Sequence, residues 1–153
     1  GIRDRDFIVN RAVARRVTAF MTTHRELIAW QQAMELAEIV YREIANFPKE
    51  EIFGLTRQIK NSAISVPSNI AEGSARRSRS EFLQFLYIAR GSLAELETQY
   101  TIMNRLALLN DAGATLEEIA HVGRLLNGLI RSLVTSGRTA HAKASSQQQS
   151  PTP

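Results

Sequence analysis

The chain has 153 residues, 44% of them hydrophobic, enough for one domain that buries roughly 70% of its unfolded surface. It has no cysteine, which excludes disulfides, thiol nucleophiles and cysteine metal sites, and no apolar run near the roughly 18 residues of a membrane span, so a cytoplasmic, bacterial-type protein is expected. Of the formal net charge of +4, residues 1–23 hold +3 and residues 137–153 hold +2, which leaves −1 for 24–136 and makes the basic total weak evidence for a basic face.

Residues 1–22 carry scattered apolar positions and three Arg pairs or near-pairs behind an initial Gly. With Met21 reading as a start, they are expected to be a flexible or extraneous extension; a short amphipathic helix through Val9, Val13 and Val17 is the other reading. Four helical patterns follow. In the first, Leu27, Trp30, Met34, Ala37, Tyr41 and Ile44 step by three and four residues and define the expected buried seam, ending near Asn46. Ala29, Ala33, Leu36 and Val40 form a second apolar face.

The second pattern runs from about Lys49 to Ser74, with Glu50 and Glu51 favourably placed in its first turn and Gly73 near its end. Leu55, Ile59, Ala63, Val66 and Ile70 mark its buried face. Pro67 lies inside it and costs one backbone hydrogen bond, so a kink is expected. The third pattern opens on the capping box of Ser78 and Glu81 and runs through Phe82, Phe85, Ala89, Leu93, Leu96, Tyr100, Met103 and Ala107, with Leu83, Tyr87 and Ile88 off that stripe. After a turn at 110–113, Thr115 and Glu118 form a second capping box ahead of Ile119, Val122, Leu126, Leu129 and Leu133, and the helix is expected to stop around Ser136 and Gly137. The Ser- and Gln-rich stretch beyond, 138–153, reads as a disordered tail. Four helices joined by short connections, without strand alternation, predict an all-α, antiparallel up-down-up-down four-helix bundle over 23–137 with a proline-kinked second helix. The additional apolar faces suit either a wide core or self-association.

The runs FGL at 53–55, QI at 58–59, VPSNIAEG at 66–73, EF at 81–82 and IARGSLAELE at 88–97, with Trp30 and Phe47-Pro48, resemble the four-helix-bundle family named for 23S rRNA intervening sequences. The resemblance covers about 25–134. It implies an antiparallel bundle assembled as a homopentamer, and a similarity to the accessory protein of diversity-generating retroelements, a relative that binds nucleic acid and a reverse transcriptase through basic surface. The family name records where some of its genes lie and implies no reaction.

Chemistry-bearing constellations are sparse. Glu118 and His121 have the Glu-x-x-His spacing of di-iron bundles, but such a site needs two copies and two further carboxylates, and neither His24 nor His141 follows a glutamate by three. No serine has an evident His and carboxylate partner, and no Gly-rich phosphate cradle appears, so no enzyme, cofactor or metal is expected. Arg57, Lys60, Arg76, Arg77 and Arg79 form the candidate nucleic-acid surface, for RNA or DNA, with a solvated basic face as the bland reading. No aromatic residues interleave with these charges, so contact with the backbone is expected rather than base stacking. Gln58, Ser62, Ser65, Ser68, Asn69 and Glu72 form a polar stripe that, beside Arg90, Glu95 and Glu97, reads as fixing helix register and assembly. Pro67 and Gly73 join Ser68, Asn69, Glu72, Arg90 and Glu97 as candidate structural residues. The expected protein is a non-enzymatic homo-oligomeric scaffold; a protein-interaction adaptor that binds no nucleic acid is the alternative.

Overall fold

Apolar side chains at three- and four-residue steps give each of four segments one stripe to bury, and helices that bury such stripes against one another close a core. The computed structural model describes residues 23–47 and 53–147; the extension at 1–22, the helix opening expected at 49–51 and residues 148–153 lie outside the described residues. A 3-10 turn at His24–Glu26 leads into α1 (Ile28–Ile44), followed by α2 (Phe53–Ser74), α3 (Arg79–Arg105) and α4 (Ala112–Gln147). No strand occurs among the described residues, and the architecture is an all-α four-helix bundle in which α1 and α3 each pack on both α2 and α4.

Contacts along the helices set their directions. Gly73 meets Phe82 and Phe85, Ser65 meets Ser92 and Ser62 meets Glu95, so numbers fall along α2 as they rise along α3. Those two helices are antiparallel. Leu93 lies against Gly123 and Arg79 against Gly137, which gives α3 and α4 the same relation.

The buried stripes of α2 and α4 are those read from periodicity: Ile59, Ala63, Val66 and Ile70 on one, Ile119, Val122, Leu126, Leu129 and Leu133 on the other. On α1 the expected seam is buried only in part: Leu27, Ala37 and Ile44 are in the core, and the second face joins them. Ala29, Ala33, Leu36 and Val40 enter the core with Ala37 and Ile44, while Met34 and Tyr41 are more than one-third exposed. Small residues on α1 allow close approach to two neighbours, whereas Met34 and Tyr41 lie toward the surface and Trp30 is half-buried against the core. Periodicity alone weights large apolar residues and so counted Met34 and Tyr41 into the core in place of the smaller face. On α3, Leu86 belongs to the core and Phe85 is only half-buried; Leu83 packs on the core, and Tyr87 and Ile88 are exposed.

The helix ends differ from expectation in three places. Ser78 caps α3 as anticipated, its Oγ accepting the Glu81 N–H at 3.1 Å. At α4, however, the helix begins at Ala112 and Asp111 Oδ1 accepts the Ala114 N–H at 3.3 Å, so Asp111 rather than Thr115 satisfies a first-turn donor. Gly73 does not terminate α2 in a left-handed conformation; it is buried within the helix, and a Cβ there would lie 2.6 Å from Phe85 Cβ and 2.9 Å from Phe82 Cδ2. Finally, α4 passes through Ser136 and Gly137 to Gln147, with 138–146 helical and exposed where a disordered tail was expected. Ala140, Ala142 and Ala144 supply high helix propensity there, and a single interior glycine costs only about 1 kcal/mol.

Past the end of α3, Ala107 adopts φ 52° while the Leu108 N–H bonds to the Met103 carbonyl at 3.0 Å, a left-handed helix stop that usually carries glycine. Two opposite glycine effects are therefore expected in urea unfolding. Gly73→Ala forces Phe82 and Phe85 outward and lowers stability by about 1–3 kcal/mol; Ala107→Gly relieves the left-handed strain and raises it by about 1 kcal/mol. A Gly73→Ala variant no less stable than the wild type would contradict the first assignment, and an Ala107→Gly variant no more stable would contradict the second.

Candidate nucleic-acid interface

The five basic residues do not form one cluster. Arg57 and Lys60 lie in the first turns of α2, whereas Arg76, Arg77 and Arg79 occupy its far end and the start of α3. Because α2 is one helix with Pro67 inside it, Arg57 and Arg76 are separated by 19 residues, or about 28 Å at 1.5 Å per residue. Lys60 Nζ lies 5.2 Å from the Tyr41 ring centroid, a cation–π contact on the α1 side of the bundle.

The connection end is the denser group. Arg76 donates to Glu72 Oε1 at 2.9 Å and lies 4.8 Å from the Phe85 ring centroid. Arg79 is half-buried, its Nη1 about 3.2 Å from where a Cβ on Gly137 would be, so it reaches across to α4. Arg77 is exposed and makes no hydrogen bond, ion pair or ring contact among the described residues. Because the connection is short and follows the close α2–α3 contact at Gly73, these three residues lie at one end of the bundle, Arg76 and Arg77 exposed and Arg79 packed toward α4.

The polar stripe divides likewise. Ser62 donates to Glu95 Oε2 at 3.3 Å, Ser65 and Ser92 share a hydrogen bond of 2.7 Å, and the Asn69 amide donates to the Ser65 carbonyl and hydroxyl at 2.8 and 2.9 Å. Asn69 thus adds a donor one turn from Pro67, whose ring removes the N–H that would bond to the carbonyl of Ala63. Pro67 itself is buried. Gln58, Ser68 and Glu72 are exposed. Arg90 stacks on Tyr87 of its own helix at 5.0 Å, and Glu97 is exposed, so of the three α3 residues placed beside the stripe only Glu95 touches it. Between α2 and α3 a polar hollow of about 910 Å³ includes Gln58, Asn61, Ser62, Ser92 and Glu95.

A second, apolar groove of about 440 Å³ lies between α1 and α2, lined chiefly by Trp30, Met34, Tyr41, Ile64, Pro67 and Ala71. His24 meets Trp30 edge-on at 5.0 Å at its end. Glu118 and His121 are each half-buried, and among the described residues no three His, Asp or Glu side chains gather as a metal site.

One polar centre escaped the sequence reading. Glu43 accepts from Tyr100 Oη through Oε2 and from Thr115 Oγ1 through Oε1, both at 2.7 Å, tying the ends of α1, α3 and α4. Burial, and secondarily the hydrogen bond and charge of Glu43, push the Tyr100 phenol well above its ordinary value, so it remains a neutral donor. The signal was present: Glu43 follows Leu36 by seven and Val40 by three, on the stripe that is buried.

These features define a class of all-helical bundle with a basic connection and an exposed apolar groove, and no assembled catalytic constellation among the described residues. Residues 25–128 match the family of 23S rRNA-intervening sequence proteins, and the chain belongs to that family. A solved structure from Bacteroides thetaiotaomicron, a protein of unknown function from the S23 ribosomal protein family, is similar in fold: 22% identity, 67% of this chain and 98% of that one covered, TM-score 0.64. No curated protein matches the sequence.

Removing the Glu43 carboxylate by Glu43→Ala leaves two buried hydroxyls without their acceptor. At about 1–3 kcal/mol for each unpaired group, a loss of about 2–6 kcal/mol is expected. Glu43→Gln keeps one acceptor and should cost clearly less; equal urea midpoints for the two variants would contradict the network's role.

Proposed function

We propose that this protein is a non-enzymatic, homo-oligomeric helical scaffold that binds nucleic acid, RNA or DNA, through basic side chains repeated around the assembly. The observation that carries this reading is that Arg76, Arg77 and Arg79 lie within four residues at the α2–α3 turn, with Arg77 exposed and without a partner among the described residues. Guanidinium groups on a rigid frame neutralise phosphates, and repetition by symmetry multiplies weak contacts. Arg57 and Lys60, at the other end of α2, form a separate and smaller group. The apolar groove supports self-association: Met34, Tyr41 and Ile64 are too exposed for a seam serving one chain's core, and a second copy would cover them.

The same groove favours a second reading, an adaptor that recruits another protein there and never touches nucleic acid. The two readings separate in a mobility-shift assay. Scaffold binding to RNA or DNA should weaken steeply with salt, and changing Arg76, Arg77 and Arg79 together to Ala should lower its affinity by tenfold or more while the fold is retained. No binding at low salt would leave the adaptor.

Light scattering tests assembly. A mass several times the 17.1 kDa of one chain is expected at micromolar concentration, falling toward one chain when Met34→Glu and Ile64→Glu are combined. A wild-type monomer would overturn the assembly.

A further inference from the structure

Helix α4 contains a second basic feature outside the residues assigned above. After Glu118 it has no acidic residue, yet it carries Arg124, Arg131, Arg138 and Lys143. The three arginines are seven residues apart. On an α-helix that interval returns to the same face with a drift of about 20°, so they form a row with steps of about 10.5 Å and a span of about 21 Å. All three are exposed, about opposite the buried stripe through Ile119, Val122, Leu126, Leu129 and Leu133. None makes an ion pair or hydrogen bond through its side chain among the described residues.

A helix face built for solubility commonly interleaves opposite charges three or four residues apart, which stabilises the helix. Beyond the exposed Glu117, which precedes the row by seven residues on the same face, this one has a single sign, and no acidic residue lies three or four positions from any of the three arginines. Arg79 reaches α4 at Gly137, the residue before Arg138, so the row ends at the same pole of the bundle as the connection. Its position on one unbroken helix makes the row straight and stiff, and α4 contains no Phe, Tyr or Trp on which an unpaired base could stack.

We infer that the Arg124, Arg131 and Arg138 face of α4 is a track for the phosphate backbone of double-stranded nucleic acid, entered from the Arg76, Arg77 and Arg79 connection. This rests on the nucleic-acid reading above. A stiff partner suits a stiff row: 21 Å corresponds to about six base pairs at 3.4 Å each. Contacts are to the backbone, sequence-independent and governed by salt.

The test titrates the full chain with a duplex of about 20 base pairs, and with one of its strands alone, over a fourfold range of salt. Three phosphate contacts, at about 0.9 each in the slope of log affinity against log salt, predict that Arg124→Gln, Arg131→Gln and Arg138→Gln together lower the duplex slope by about 2.7. A fourfold rise in salt then weakens the wild type about 40-fold more than the variant. Replacing the same three with Lys should restore the slope, and unchanged melting and light-scattering mass show that fold and assembly are intact. An unaltered slope in the Gln variant, in a protein whose duplex binding is lost with Arg76→Ala, Arg77→Ala and Arg79→Ala, overturns the track while leaving the nucleic-acid reading standing. Tighter binding of the single strand overturns the duplex assignment. Binding of phosphatidylserine-containing vesicles without binding of either nucleic acid overturns both readings.

Discussion

The close approach of α2 and α3 is the constraint on which the rest of the bundle is arranged. It exists because the side chains between them are small or absent: Gly73 under Phe82 and Phe85, Ser65 against Ser92, Ser62 beside Glu95. Close packing brings polar atoms within hydrogen-bond distance of one another, so most of the seam is satisfied internally, with Gln99 Oε1 left buried without a partner among the described residues. It also fixes where the chain turns, and so where Arg76, Arg77 and Arg79 lie. With that pair in place, Leu93 can meet Gly123, Arg79 can reach Gly137, and Glu43 can hold Tyr100 and Thr115 at the opposite end.

Much of this architecture was legible because long helices with regular apolar steps leave few alternatives. The stripes of α2 and α4 and the Ser78 cap follow directly from spacing and side-chain chemistry. What misled was size. On α1 the residues that look most like a core, Trp30, Met34 and Tyr41, are bulky, while the residues that enter the core include three alanines. Close helix contacts select small side chains, a property of the neighbouring helices that no single segment displays. Gly73 and Gly137 were misread for a related reason: glycine in a helical pattern suggests a stop, but here one admits a neighbouring helix and the other lies under a guanidinium.

Charge shows the same difference between sequence and space. Residues 24–136 sum to −1, which conceals a helix whose acidic residues stop at Glu118 and whose outer face then carries one sign only. Summation over a segment averages across faces, whereas a partner meets only one of them. Conversely, Arg57 and Arg76 look like members of one cluster until the continuity of α2 places about 28 Å between them. Glu43 was invisible for a third reason: its partners lie 57 and 72 residues away along the chain.

The length of α4 has a consequence for packing between molecules. At 36 residues it is about 54 Å long, against about 40 Å for the 27 residues of α3, so its last turns stand clear of the other helices as a rod. A neighbour approaching along the bundle axis at that pole meets the rod before it meets the bundle. Head-to-tail approach at that pole is thereby obstructed on steric grounds, and lateral approach along the flanks is left open.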